Sequence, residues 1–158
     1  MDCADLKEQE SLYASYVNIE NQILAQQKQN LTEAEGQIGS DFYSQKELDS
    51  LEQIKNLSCS TYDMSKQARL NKPRECIERP GKPPICRTPS PSAGELQQLQ
   101  QCRSDQRDLS TRQNGLAEWK NRKAAAEAGV QKWTASASHT KSMLTKIRAE
   151  MRRKKCTS

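Results

Sequence analysis

Aromatic residues are scarce in this 158-residue chain: one Phe, two Trp and four Tyr. Leu, Ile, Val and Phe together number only 23. So few large apolar side chains cannot build a thick globular core, although a thin seam between long helices needs no more. No run of about 18 apolar residues occurs, so no transmembrane helix is expected. The single histidine, His139, has no cysteine at metal-ligand spacing, and there is no Cys-x-x-Cys pair. This pattern argues against a zinc site. There is no glycine-rich phosphate loop and no paired carboxylate constellation. His139 stands among Ser136, Ser138 and Thr140 on what reads as an exposed helix face, where neighbouring side chains point apart. The chain is therefore expected not to be an enzyme, with no catalytic, cofactor-binding or metal-binding residues and no cofactor.

Proline is absent before Pro73 and after Pro91, yet six prolines crowd the stretch between them. The corner 72–92 thus separates two proline-free arms that read as helix. In the first arm, Leu6, Leu12, Tyr16, Ile19, Ile23 and Leu31 recur at three-four spacing, predicting a helix over about 5–35 that ends at Gly36 or Gly39. A second helix is predicted over about 41–70, with Ser44 and Glu47 as a capping box and Leu48, Leu51, Ile54, Leu57 or Ser58, Thr61 or Tyr62, Met64 and Ala68 along its seam. The short joint between these helices predicts an antiparallel hairpin.

Within the corner, Cys76 and Cys86 close a small loop whose turn is Pro80-Gly81, while Pro83-Pro84 and Pro89-x-Pro91 favour polyproline conformation. Ser92 and Glu95 form another capping box, opening a long helix over about 93–155. A heptad phase runs through it: Cys102, Leu109, Leu116, Lys123, Val130, Ala137, Leu144 and Met151 on one line, and Asp105, Arg112, Trp119, Ala126, Trp133, Thr140 and Ile147 on the next. Asn114-Gly115 signals a possible break, but the phase is unchanged on either side of it. The expected fold is a single all-α domain over 1–158, an antiparallel helical hairpin packed on a long third helix. The alternative is an up-down-up-down four-helix bundle with a turn near 114–115.

The six cysteines favour a disulfide framework and an oxidising compartment. The expected setting is periplasmic or extracellular with a signal peptide removed; a cytoplasmic protein with free thiols is the alternative. Cys59 and Cys102 fall at similar height from the corner and are expected to pair, as are Cys76 and Cys86. Cys3 and Cys156 are expected to meet only if the chain turns near Asn114-Gly115. With a continuous last helix, Cys3 would compete for the corner cysteines and Cys156 would be free or bridge to another molecule.

Charge divides along the chain. Residues 1–70 carry 6 basic and 12 acidic groups, and residues 93–158 carry 14 and 6. Opposite charges beside a helical seam allow the acidic arm to pack along the basic one. Arg152, Arg153, Lys154 and Lys155 end the long helix as a basic tip, a candidate contact for an anionic polymer or membrane surface. The aromatic interleaving of single-strand binders is missing there, which argues against nucleic acid. If the hairpin covers only the first part of the long helix, Trp119, Val130, Trp133, Leu144, Ile147 and Met151 form an exposed stripe that calls for a protein partner or a second copy of the chain. The expected function is a non-enzymatic structural or interaction module, binding through this distal helix.

Overall fold

Three side-chain caps decide where the helices begin. The computed structural model describes residues 1–156. Asp2 Oδ1 accepts from the Asp5 N–H at 2.9 Å and starts α1 (Cys3–Ile38). Ser44 Oγ accepts from the Glu47 N–H at 3.2 Å and starts α2 (Gln45–Leu70). Ser92 Oγ accepts from the Glu95 N–H at 3.1 Å and starts α3 (Ala93–Arg153). Each cap satisfies one of the amide groups that a helix start leaves unpaired. A 3₁₀ turn, Asp41–Tyr43, precedes α2, so the regular helix starts at the Ser44 box and not at Asp41.

The protein is mostly helical, with one departure from the all-α expectation. β1 (Glu75–Arg79) and β2 (Lys82–Arg87) form an antiparallel hairpin. Pro80 and Gly81 make its turn, and Gly81 sits at φ +68°, where a residue without Cβ carries no steric cost. Pro83 and Pro84 lie in β2 and not in a polyproline segment. Their φ suits both conformations, and a strand at a sheet edge tolerates a missing N–H.

The chain forms two compact units, Met1–Gly39 with Ala117–Ser158, and Ser40–Leu116. α3 is one helix of 61 residues and contributes to both. In the first unit, α1 runs antiparallel to the later part of α3. Cys3 is bonded to Cys156, Glu10 Oε2 lies 3.9 Å from Arg148 Nε, and Glu20 Oε1 accepts from Thr140 Oγ1 at 2.8 Å. Positions 3, 10, 17, 24, 31 and 38, and 6, 13, 20, 27 and 34, of α1 are all shielded, an unbroken heptad seam, with 9, 14 and 23 shielded beside it. Leu6, Ile147 and Met151 are its buried cluster, with Tyr13 and Cys156 against them.

In the second unit, α2 runs antiparallel to the earlier part of α3. Arg69 Nε pairs with Glu95 at 2.9 Å, Cys59 is bonded to Cys102, and Arg112 Nη1 reaches Glu47 Oε1 at 3.3 Å. Arg112 also donates to the Phe42 carbonyl at 3.0 Å and lies 3.6 Å from the centre of the Phe42 ring, which fixes the 3₁₀ turn to α3.

One expectation holds and two are overturned. The long helix is continuous through Asn114-Gly115, as expected, so the four-helix alternative falls. Cys3 and Cys156 are nevertheless bonded, although a continuous helix was expected to keep them apart. Both hold because the expected α1–α2 hairpin is replaced: α1 fills its seam with the later part of α3, and α2 fills its own with the earlier part.

Gly115 shows why an apparent turn signal sits inside a helix. A Cβ there would lie 2.6 Å from Tyr43 Oη and 3.2 Å from the ring, so only glycine lets Tyr43 pack on α3. Alanine normally gains about 1 kcal/mol over glycine in a helix interior. Gly115→Ala is expected to destabilise instead, by displacing Tyr43. The same substitution in a Tyr43→Ala background is expected to stabilise by about 1 kcal/mol. Urea unfolding of the four proteins checks both signs.

Candidate interaction surfaces

The residues expected to form an exposed stripe on the distal helix are covered by the chain itself. Leu144, Ile147 and Met151 are buried, and Trp119, Val130 and Trp133 are half-buried. The physical reason is the altered pairing: α1 lies along this part of α3, and Leu6 and Tyr13 pack on it. Trp119 lines a cleft of about 280 Å³ with Gln27 and Asn30 of α1, and the Arg122 guanidinium lies 4.6 Å from the centre of its ring.

The basic tip is partly engaged. Arg152, Arg153, Lys154 and Lys155 are all exposed. Arg153 and Lys154 both pair with Glu150, and Lys154 Nζ also donates to the Met1 carbonyl. The hydrogen bond from Arg153, followed by the charges of Arg153 and Lys154, holds the Glu150 carboxyl below its ordinary value of 4.5. A lowered folded pKa adds stability above the unfolded value, and this is lost as pH falls through the lowered one. The pair is exposed, so the contribution is minor.

The six cysteines form three disulfides, Cys3–Cys156, Cys59–Cys102 and Cys76–Cys86, and none is free. The last two are the expected pairs. Among the described residues, no group of His, Cys, Asp and Glu is arranged to hold a metal ion, and no helix is long and apolar enough to cross a membrane.

The surface that sequence reasoning missed is on α2. Its shielded positions are 47, 48, 51, 55, 58, 59, 62, 65 and 69, which include Lys55, Ser58 and Ser65. Ile54, Leu57 and Met64 point away from this seam. Leu57 and Met64 each keep 72% of their surface exposed, and Ile54 about half. Positions 54, 57, 61 and 64 are themselves a heptad line, so α2 carries an inner and an outer stripe. Beside the outer stripe runs a groove of about 370 Å³, lined by Ile54, Leu57, Ser58 and Thr61 of α2 and by Gln98, Gln101 and Asp105 of α3. Asp105 is buried and accepts from Gln101 Nε2 at 3.0 Å. Gln98 Oε1 is buried without a hydrogen-bond donor.

The spacing held the missing signal. Leu48, Leu51, Ile54 and Leu57 follow one another at three-residue steps, and nine residues at 3.6 per turn rotate by about 180°. Leu48 and Leu57 therefore stand on opposite sides of the helix and cannot share a seam.

A third surface is the β-hairpin. Its root is fixed by Arg69, whose Nε hydrogen-bonds both Glu95 oxygens at 2.9 Å and whose Nη1 donates to the Pro89 carbonyl at 3.1 Å. Glu95 is 5% exposed. Removing one partner of such a pair leaves the other charge poorly solvated. Glu95→Ala is expected to cost about 2–3 kcal/mol. It should also raise amide exchange at residues 89–95 above that of the rest of α3, which unfolding curves and hydrogen exchange would register together. No protein-family profile, curated protein sequence or solved structure matches the chain.

Proposed function

We propose that the protein is a non-enzymatic, disulfide-stapled interaction module of a secreted or periplasmic assembly, and that it associates with a second copy of itself through the outer stripe of α2. The carrying observation is the exposure of Ile54, Leu57 and Met64 at heptad spacing. Large apolar side chains in a regular line on a helix surface are what a coiled-coil partner covers. The three disulfides support the extracytoplasmic setting, since such bonds persist in oxidising compartments. The non-enzymatic part rests on the sequence, which offers no catalytic constellation.

A second copy suits this stripe because its flanking positions on α2 are uncharged. Gln53, Ser60 and Gln67 flank it on one side, and Ser58 and Ser65 on the other. Charged borders choose unlike partners, whereas neutral ones let identical stripes meet without repulsion. Two copies related by a twofold axis would cover six large apolar side chains. That gain is on the order of 10 kcal/mol, similar to the cost of association. A reversible dimer is therefore expected, not a permanent one.

Sedimentation of the oxidised protein over a concentration series tests the reading. A monomer–dimer equilibrium is expected, shifted to monomer by Leu57→Glu with Met64→Glu, while helix content stays unchanged, as does the melting temperature at concentrations where the parent is monomeric. A monomer at every concentration, or a variant that associates as the parent does, overturns self-association. A chain isolated from its native compartment and denatured without reductant is expected to show no titratable thiol. A full complement of free thiols would overturn the extracytoplasmic setting.

A further inference from the structure

The connection between α2 and α3 is longer than the joint requires. Antiparallel helices are usually linked by about 2–8 residues, yet residues 71–92 intervene here. Residues 71–88 are all exposed, so the hairpin buries nothing against either helix. An isolated two-stranded hairpin is marginal in water. This one is closed by Cys76–Cys86, a bond between directly paired residues. A loop of that size adds about 3 kcal/mol in the chain-entropy treatment. The bond thus keeps the shape of an element that the core does not use.

That shape has chemistry. Ile77 pairs with Ile85, so their side chains share one face, and both are about half exposed. The Glu75–Arg87 pair lies on one side of them and the Arg79–Lys82 pair on the other. Residues 71–92 carry five basic groups against Glu75 and Glu78. Among the described residues, Lys72, Arg74, Lys82 and Arg87 have no carboxylate within 4.0 Å.

The edges of the hairpin differ. The Cα atoms of Cys76 and Cys86 are 4.0 Å apart, the close spacing of a non-hydrogen-bonded pair. The backbone groups of Glu75 and Ile77 therefore turn toward β2, and those of Cys76 turn outward. On β2 the outward positions are Cys86, the partner of Cys76, and two residues before it Pro84, which has no N–H. The β2 edge is blunted by proline, whereas the β1 edge contains none.

We propose that the stapled hairpin is a recognition element that accepts an extended acidic protein segment as a third strand on the outer edge of β1. Backbone hydrogen bonds to β1 supply affinity, as in other strand additions. Side chains of the added strand alternate between faces. The residue beside Ile77 is apolar and the one two positions along, beside Arg79, is acidic. This surface is separate from the α2 stripe, and its failure leaves the self-association reading untouched.

Fluorescent synthetic peptides test the proposal on the oxidised full chain: one alternating valine and glutamate along one face (Val-Ser-Glu-Ser repeats), one with lysine in place of glutamate, and a scrambled acidic control. Binding of the alternating acidic peptide is expected at low ionic strength, weakening as salt rises. It is expected to weaken about tenfold or more with Arg79→Glu and Lys82→Glu, and with Ile77→Ser and Ile85→Ser. Glu78→Pro, which alters the β1 edge, is expected to abolish it; helix content and the mapped Cys76–Cys86 bond confirm that each variant is folded. Equal binding of all three peptides, no binding, or binding indifferent to Glu78→Pro overturns strand addition. Binding to anionic phospholipid vesicles in place of the peptide overturns it in favour of a membrane surface.

Discussion

The unbroken heptad phase of α3 is the constraint on which the other contacts depend. Positions 95, 102, 109, 116, 123, 130, 137, 144 and 151, with the line three residues on, are shielded without exception through position 147 of that second line. The phase passes through Gly115 and Gly129 unchanged, because at each glycine a side chain of the neighbouring element, Tyr43 or Gln27, lies where a Cβ would be. A single turn residue that reset the phase would turn one of the two seams away from its partner helix. The two glycines are close-approach positions on a continuous helix, which is why the usual reading of Asn-Gly as a turn fails here.

The seam is polar for a coiled coil, and this explains how so few apolar residues suffice. Glu20 meets Thr140, Gln27 crosses Gly129, Arg112 meets Glu47, and Arg69 meets Glu95. Such layers contribute less than apolar ones, and Glu20 Oε2 even lacks a donor. What they supply is register. A shift by one heptad would leave Glu95 and Arg69 without each other in a shielded position, at a cost larger than their pairing contributes. Covalent bonds then replace the burial that the seam forgoes. The Cys3–Cys156 bond closes nearly the whole chain, and a closure of that length stabilises by about 5 kcal/mol in the chain-entropy treatment.

Much of this was legible in the sequence. The helix starts at Ser44 and Ser92, the register of α3 and the Cys76–Cys86 bond follow from local chemistry, since caps, heptads and short-range loops are set by neighbours in the chain, and the Cys59–Cys102 bond follows from the matching heights of the two cysteines above the corner. The partner of α1 was not legible. Its seam fits any helix of matching phase, and the short joint at Gly39 favoured folding back on α2. Only the Cys3–Cys156 bond distinguishes the outcomes, and cysteine pairing cannot be deduced from spacing alone. The outer stripe of α2 was hidden for a different reason. Choosing apolar residues in order, Leu48, Leu51, Ile54 and then Leu57, moves from one face to the other, because the inner stripe continues through Lys55, Ser58 and Ser65.

That inversion on α2 has a physical rationale. α2 contains no buried residue, so apolar burial alone holds it weakly to α3. The Cys59–Cys102 bond closes a loop of 43 residues' separation, worth about 4 kcal/mol in the chain-entropy treatment. This is comparable to the full burial of two leucine-sized side chains, at about 1.5–3 kcal/mol each. A covalent staple in the seam therefore releases Leu57 and Met64 from duty inside the fold. A monomer gains nothing by leaving them in water on a regular heptad line. An assembly that covers them recovers the burial that the staple made dispensable, and the same reasoning applies to the hairpin, where Cys76–Cys86 holds Ile77 and Ile85 in place without burying either.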